Sequence, residues 1–130
     1  MRTYINEDVY ALLPADLRAE IKEVSKISDT GKINDKTLVT TVDKLFLLSM
    51  EEVGLSDSSV VTGQGKKYTY YNDNASRIKK YKNSSATIWW LRTSVINTTY
   101  RYWFHCVAET GGKIDDRASY SRGVAPAFCI

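Results

Sequence analysis

Ile88-Trp89-Trp90-Leu91-Arg92 and Gly123-Val124-Ala125-Pro126-Ala127-Phe128-Cys129-Ile130 bracket the stretch on which the rest of this chain depends. From Thr87 onward lie all three Trp, two of the three Phe, both Cys and the only His. The first element is an apolar aromatic run of strand length, followed at once by a cation. The second is an apolar segment whose Pro126 restricts it to a sheet edge or a bulge. The residues between them alternate in character without a clean core pattern. Two apolar ends around such a middle describe a scaffold that displays side chains.

Outward from that stretch, the totals set limits. A chain of 130 residues suits one domain, able to bury about two thirds of the surface its unfolded form exposes. A hydrophobic share of 43% with 25% charged residues is that of a soluble globular protein, and no apolar run approaches the roughly 20 residues that span a bilayer. The first residues lack a signal peptide's apolar core, so no export or anchoring signal is expected within this chain.

The net charge of +3 is unevenly spread. Residues 1–57 carry 7 Lys/Arg against 11 Asp/Glu, and residues 58–130 carry 11 against 4. Lys66, Lys67, Arg77, Lys79, Lys80 and Lys82 stand among Tyr68, Tyr70, Tyr71 and Tyr81, a mixture able to hold nucleic-acid backbone and bases. A solvated helix face anchored by Tyr explains the same residues, and no nucleic-acid motif accompanies them. Cys106 and Cys129 make neither a disulfide framework nor a metal spacing, and two reduced core thiols are expected. A single His removes most metal sites and most nucleophile arrangements unless His105 itself is the base.

Along the chain, Asn6 is positioned to cap a short helix over residues 7–12. A second helix, residues 14–26, would place Leu17, Ile21 and Val24 on one face as a core-covering element. Residues 28–32 read as a turn. β-branched and aliphatic residues then predict strands over 38–42 and 44–48. Ser49 and Glu52 have capping-box spacing for one helical turn. Residues 54–67 read as surface loop, and Asn74 as the cap of a helix over 75–81. Strands follow at 88–91 and 100–107, a hairpin at Gly111-Gly112, and a closing strand over 123–130. In the strand 100–107, Tyr100, Tyr102, Phe104 and Cys106 alternate with Arg101, Trp103, His105 and Val107, and the pattern leaves open which face is core. The class is α+β, with helices first and a mostly antiparallel sheet after them.

The series Val39-Thr40-Thr41-Val42-Asp43-Lys44-Leu45-Phe46-Leu47-Leu48-Ser49, Arg77-Ile78-Lys79-Lys80, Trp89-Trp90-Leu91-Arg92 and Gly123-Val124-Ala125-Pro126-Ala127-Phe128 resembles the DUF6273 family over nearly the whole chain and in the same order. That resemblance implies a single C-type-lectin-like domain over residues 1–130. Its N-terminal helices would pack on a mostly antiparallel sheet closed by the C-terminal strand. The resemblance further implies a likeness to the variable proteins of diversity-generating retroelements, which some members of the family resemble. The family occurs in phages and bacterial surface proteins. The implied function is ligand or receptor recognition on a phage tail or bacterial surface, directed at a cell-surface protein or glycan. A virion decoration or assembly part, or nucleic-acid binding through residues 66–82, is the alternative.

By the same resemblance, residues 94–122 form the display region. Its candidate ligand-binding residues are Val95, Ile96, Asn97, Thr98, Thr99, Tyr100, Arg101, Tyr102, His105, Glu109, Asp115, Asp116, Arg117, Tyr120 and Arg122. Their chemistry agrees, since Tyr and Arg dominate binding hot spots while Ser, Thr and Asn adapt to polar groups. A homo-oligomer or a larger virion or surface assembly is the expected setting, without membrane insertion. Two features stand apart from the pattern. Trp103, Glu109 and Lys113 are residues that adenine mutagenesis of Asn codons does not readily reach, so either they are fixed positions or the chain is an ordinary, undiversified relative. The short acidic motifs of calcium-dependent lectins are missing, and Asp115-Asp116 alone cannot supply six to eight oxygens, so neither metal nor other cofactor is expected. C-type-lectin-like folds also include enzymes that employ a Cys pair. Here Cys129 lies in an apolar segment, and His105 and Cys106 point to opposite sides of a strand, so catalysis is not expected.

Overall fold

The computed structural model describes residues 1–82, 84–96, 99 and 102–130. The chain opens with α1 (Arg2–Tyr4), which runs directly into a π-helical turn, Ile5–Val9, and then α2 (Ala15–Glu20). β1 (Val24–Asp29) and β2 (Leu38–Asp43) form an antiparallel hairpin. After a long irregular passage come α3 (Asn74–Arg77) and the two-residue strands β3 (Lys79–Lys80) and β4 (Ala86–Thr87), paired with each other. β5 (Trp89–Ser94), β6 (Trp103–Val107) and β7 (Lys113–Arg117) make a three-stranded antiparallel sheet in that order. The fold is therefore mixed α and β, with small antiparallel sheets and few helical residues.

Both early helices differ from their sequence reading. The first begins before Asn6, which lies inside it and works across the fold instead. Its carbonyl oxygen accepts from the backbone N–H groups of Lys44 and Leu45, each at 3.0 Å, and its amide donates to the Leu45 carbonyl at 2.8 Å. Asn6 thus serves segment 44–45 as a strand neighbour would. α2 ends at Glu20, not at 26, because Ile21 turns extended and Lys22 donates to the Cys129 carbonyl at 2.9 Å. Beyond it the burial of β1 alternates with period two. Leu17, Ile21 and Val24 fit helix spacing, but long-range partners decide: the pairing of Val24–Asp29 with β2 and the bridge from Lys22 to Cys129 hold the segment extended against its local preference.

The core explains the apolar runs. Phe46, Leu48, Met50, Val53, Tyr71, Trp89, Leu91 and Val107 form one cluster, and Ile5, Ile21, Leu45, Leu47, Ile88, Trp90 and Cys106 another. Successive residues of β5 and of segment 45–48 point alternately into the two clusters, so both segments are buried on both faces. Segment 44–48 is tied to its surroundings by an isolated bridge from Phe46 to Ala127, without becoming a regular strand.

Arg92 joins these parts. Its guanidinium donates to the carbonyls of Ile27 (3.1 Å), Leu47 (2.7 Å) and Gln64 (2.5 Å) and pairs with Glu52 at 2.5 Å. Glu52 also takes Lys26 as an ion-pair partner and accepts from the Ser49 N–H, whose hydroxyl accepts from the Glu52 N–H in return. The capping box expected at Ser49 therefore exists, closing a turn through Val53 N–H to the Ser49 carbonyl. Residues 54–67 are irregular as expected, although Val61 and Gln64 are buried. α3 is capped by Asp73 through Ser76, one residue earlier than expected, and ends at Arg77. The C-terminal segment does not form one closing strand. Gly123, Ala127 and Cys129 make single bridges to Trp89, Phe46 and Lys22, three separate parts of the fold.

Candidate ligand-binding surface

The β6–β7 hairpin is set by its turn and by what lies under it. Trp103 pairs with Arg117, Phe104 with Asp116, His105 with Asp115, Cys106 with Ile114 and Val107 with Lys113. The turn closes through Ala108 N–H to the Gly112 carbonyl (2.8 Å) and Gly111 N–H to the Ala108 carbonyl (2.9 Å). Gly111 has φ +80°, and a Cβ there would sit 1.9 Å from the Asn74 carbonyl oxygen, so only glycine fits. Arg77 fastens the same turn from below, donating to the Gly111 carbonyl at 2.8 Å and the Val53 carbonyl at 3.1 Å. The Arg77 carbonyl in turn accepts from the Trp89 indole at 2.9 Å.

Strand alternation gives the hairpin two sides. On the first stand Trp103, His105 and Val107 with their partners Arg117, Asp115 and Lys113. The exposed Arg117 guanidinium lies 5.7 Å from the Trp103 ring centre, in cation–π range. His105 is fully buried, with Nδ1 at 2.5 Å from an Asp115 oxygen and Nε2 at 3.5 Å from the Ser59 hydroxyl. Ser59 donates to Asp57 at 2.5 Å, and Lys113 pairs with Asp57 at 2.6 Å and lies 3.6 Å from Asp115. Burial pushes the Asp115 carboxyl up, but the close polar contact with His105, with Lys113 nearby, outweighs it and holds it below the usual range. The Lys113 ammonium and Ser59 depress Asp57 strongly, and Asp57 in return raises Lys113.

Ser59, His105 and Asp115 follow the order of a nucleophile, base and acid. Their geometry favours a clamp, because the Ser59 hydroxyl proton goes to Asp57 and the imidazole is sealed from solvent. The clamp holds residues 57–59 against the sheet, and the Ser59 carbonyl accepts from Ile96 N–H at 3.2 Å, where the display region leaves β5.

On the second side, Asp116 is buried and pairs with Arg122 at 2.6 Å, and the Arg122 guanidinium lies 5.6 Å from the Tyr120 ring. Cys106 faces the same way. Burial pushes its thiol up to about 12, with the Asp116 charge in the same sense, so it is a neutral core group at physiological pH. Cys106 and Cys129 are both free thiols.

The expected site residues therefore divide. Tyr102 is 75% exposed and Tyr120 49%; Thr99, Glu109 and Arg117 also face solvent. Ile96, Asp115 and Arg122 are half-buried. Val95, His105 and Asp116 are buried, a correction to their placement on a solvent-facing surface: Val95 packs inside, and the other two are committed to Asp115 and Arg122. Asn97, Thr98, Tyr100 and Arg101 lie outside the described residues. Tyr102 has φ +61°, a left-handed conformation costing a non-glycine residue about 1–2 kcal/mol, and its carbonyl is held by Ala118 N–H at 2.8 Å. Sequence reasoning missed Asp57 and Ser59, which no local pattern connects with residues 105–115. Of the three residues that interrupt the pattern, Lys113 pairs with Asp57 and Trp103 lies beneath Arg117, whereas Glu109 is exposed.

A largely apolar cleft of about 570 Å³ lies between the inner face of the β1–β2 hairpin and the sheet, with Val39, Thr41, Trp90, Phe104 and Ala118 among its walls. Among the described residues no three His, Cys, Asp or Glu are grouped to hold a metal ion, and no helix is long and apolar enough to cross a membrane. Comparison with curated proteins and with solved structures returned no match. The motifs that fasten the scaffold, from the 39–49 segment through Arg77, Trp89 and Arg92 to Gly123, have a counterpart nonetheless: a family model described as Domain of unknown function (DUF6273) matches residues 1–130, and the chain belongs to that family.

Proposed function

We propose that this chain is a recognition module of C-type-lectin-like type, carried on a phage virion or a bacterial surface, whose residues 94–122 bind a cell-surface protein or glycan. The observation that carries the reading is the contrast on one hairpin. Tyr102, Arg117 and Tyr120 are exposed, while the residues beneath them are committed to a buried polar clamp and to the core. Rigid aromatic and Arg side chains on a fixed support lose little entropy on binding, which suits a contact surface. Arg117 over Trp103 presents a cation and a ring together, able to meet a carboxylate and an apolar sugar or side-chain face.

The test is adhesion of the fluorescently labelled chain to a panel of bacterial cells and immobilised glycans, with Arg101→Ala, Tyr102→Ala and Arg117→Ala beside the wild type. Loss of at least about tenfold in affinity for the bound target is expected, the scale of a hot spot. Unchanged adhesion in all three variants would remove the display model. Diversification has its own readout in the neighbouring DNA: a near-copy of the sequence encoding residues 94–122, differing at adenines beside a reverse-transcriptase gene. On this reading the copy would keep the codons of Trp103 and Lys113.

A further inference from the structure

A second surface, away from the β6–β7 hairpin, is absorbed neither by the core nor by the display region. Lys79, on the short β3–β4 ribbon, places its ammonium 5.6 Å from each of the Tyr70 and Tyr71 ring centres, and those rings meet edge to face at 5.1 Å. The stretches 66–71 and 79–82, separated by α3, therefore meet at Lys79. Tyr70 and Tyr81 are each 66% exposed and Tyr68 is 41% exposed. Lys66, Lys67, Lys80 and Lys82 are exposed within the same two stretches, and Lys82 lies 5.3 Å from the Tyr81 ring. The one carboxylate in residues 66–82, Asp73, is occupied in capping α3 through Ser76. Arg77, the other cation there, is buried under the hairpin turn and takes no part.

We infer that this surface binds single-stranded nucleic acid without sequence preference. Lysine ammonium groups neutralise phosphates as point charges, and exposed phenol rings offer π-faces on which unpaired bases stack. A duplex hides its base faces, and the short α3 and β3–β4 elements give nothing of the length that enters a groove. A sugar polymer asks for paired donors and acceptors toward its hydroxyls, whereas this patch offers mainly ammonium and phenol groups.

The measurement is fluorescence anisotropy of a dye-labelled oligothymidine about 12 nucleotides long, titrated with the full chain. A duplex of the same length and a heparin fragment of matched charge serve as the other arms. With five lysines on the backbone and about 0.7 counterions released per contact, raising salt from about 50 to 200 mM should weaken oligothymidine binding roughly a hundredfold. Tyr70→Ala and Tyr81→Ala should each weaken it by roughly fivefold or more at fixed salt with the salt slope unchanged. Lys80→Glu should reduce the slope, and thermal melting of each variant checks that it is folded. Equal binding of duplex or heparin, or full affinity in both folded tyrosine variants, would overturn the inference and reduce the patch to a general polyanion contact. Failure here leaves the hairpin surface untouched, because no residue is shared.

Discussion

Arg92 and Arg117 are the same amino acid in two opposite situations. Arg92 sits at the end of the Trp-Trp-Leu-Arg run with its guanidinium committed to three backbone carbonyls and a buried carboxylate, and so ties β1, segment 47–52 and Gln64 to β5. Arg117 ends β7 with its head in solvent above the Trp103 ring. Four of the five N–H groups of the first are committed inside the fold, whereas the second is exposed. The Trp-Trp-Leu-Arg run therefore marks where the chain is held together, and on the proposed function Arg117 belongs to the surface that meets a ligand.

The comparison can be strained hardest at the scaffold end. Arg92→Ala leaves Glu52 buried with Lys26 alone and strands three carbonyls, which should cost about 3–5 kcal/mol in chemical denaturation. Gly111→Ala comes next, at about 2–4 kcal/mol. It must adopt a left-handed conformation and also move the Asn74 carbonyl that its methyl would overlap. A destabilisation under about 0.5 kcal/mol there would mean that the hairpin turn stands away from Asn74.

The acid limb of stability gives a smaller and graded test. Burial alone would raise the Glu52 carboxyl, but Arg92, Lys26 and the Ser49 N–H outweigh it and hold it below its ordinary 4.5. A carboxylate depressed in the folded state stabilises fully above its unfolded value and loses that contribution as pH falls through its folded value. Asp57 and Asp115 are depressed in the same sense. Stability is therefore expected to be flat with respect to these groups above about pH 5 and to fall steadily below about pH 4, with a shallower fall in Glu52→Gln. A fall of equal steepness in that variant would detach Glu52 from the effect. Arg117→Ala, Tyr102→Ala and Tyr120→Ala close the series with changes within about 0.5 kcal/mol, since each removes an exposed side chain. Tyr102→Gly should stabilise by a few tenths to about 1 kcal/mol through release of backbone strain.

These expectations also show what the sequence made legible. The β5 run, β2, the Ser49–Glu52 capping box and the Gly111-Gly112 turn were readable because each is fixed by neighbours within a few residues. α2 stops short of the helix that the sequence predicts because Leu17, Ile21 and Val24 make a helical stripe locally while the residues after Glu20 have long-range partners. The choice was made by β2 and by Cys129, more than a hundred residues from Lys22 in the latter case. Asn6 had the right chemistry for a cap and was used on Lys44 and Leu45 instead. In the display region the alternation over 103–107 could not say which side is core, because the sheet is covered on both. His105 and Asp116 looked available and are committed, to Asp115 and Arg122 respectively. The exposed candidates, Tyr102, Arg117 and Tyr120, came from the family resemblance, which places them between the two fold-holding elements, and the chemistry of Tyr and Arg agrees with it.

Thermal unfolding of Arg92→Ala and Arg117→Ala, side by side with the wild type, tests the division between scaffold and display most directly. The account predicts a midpoint lowered by roughly 10 °C or more for Arg92→Ala and by less than about 3 °C for Arg117→Ala. Comparable losses in both variants, or the larger loss in Arg117→Ala, would contradict it.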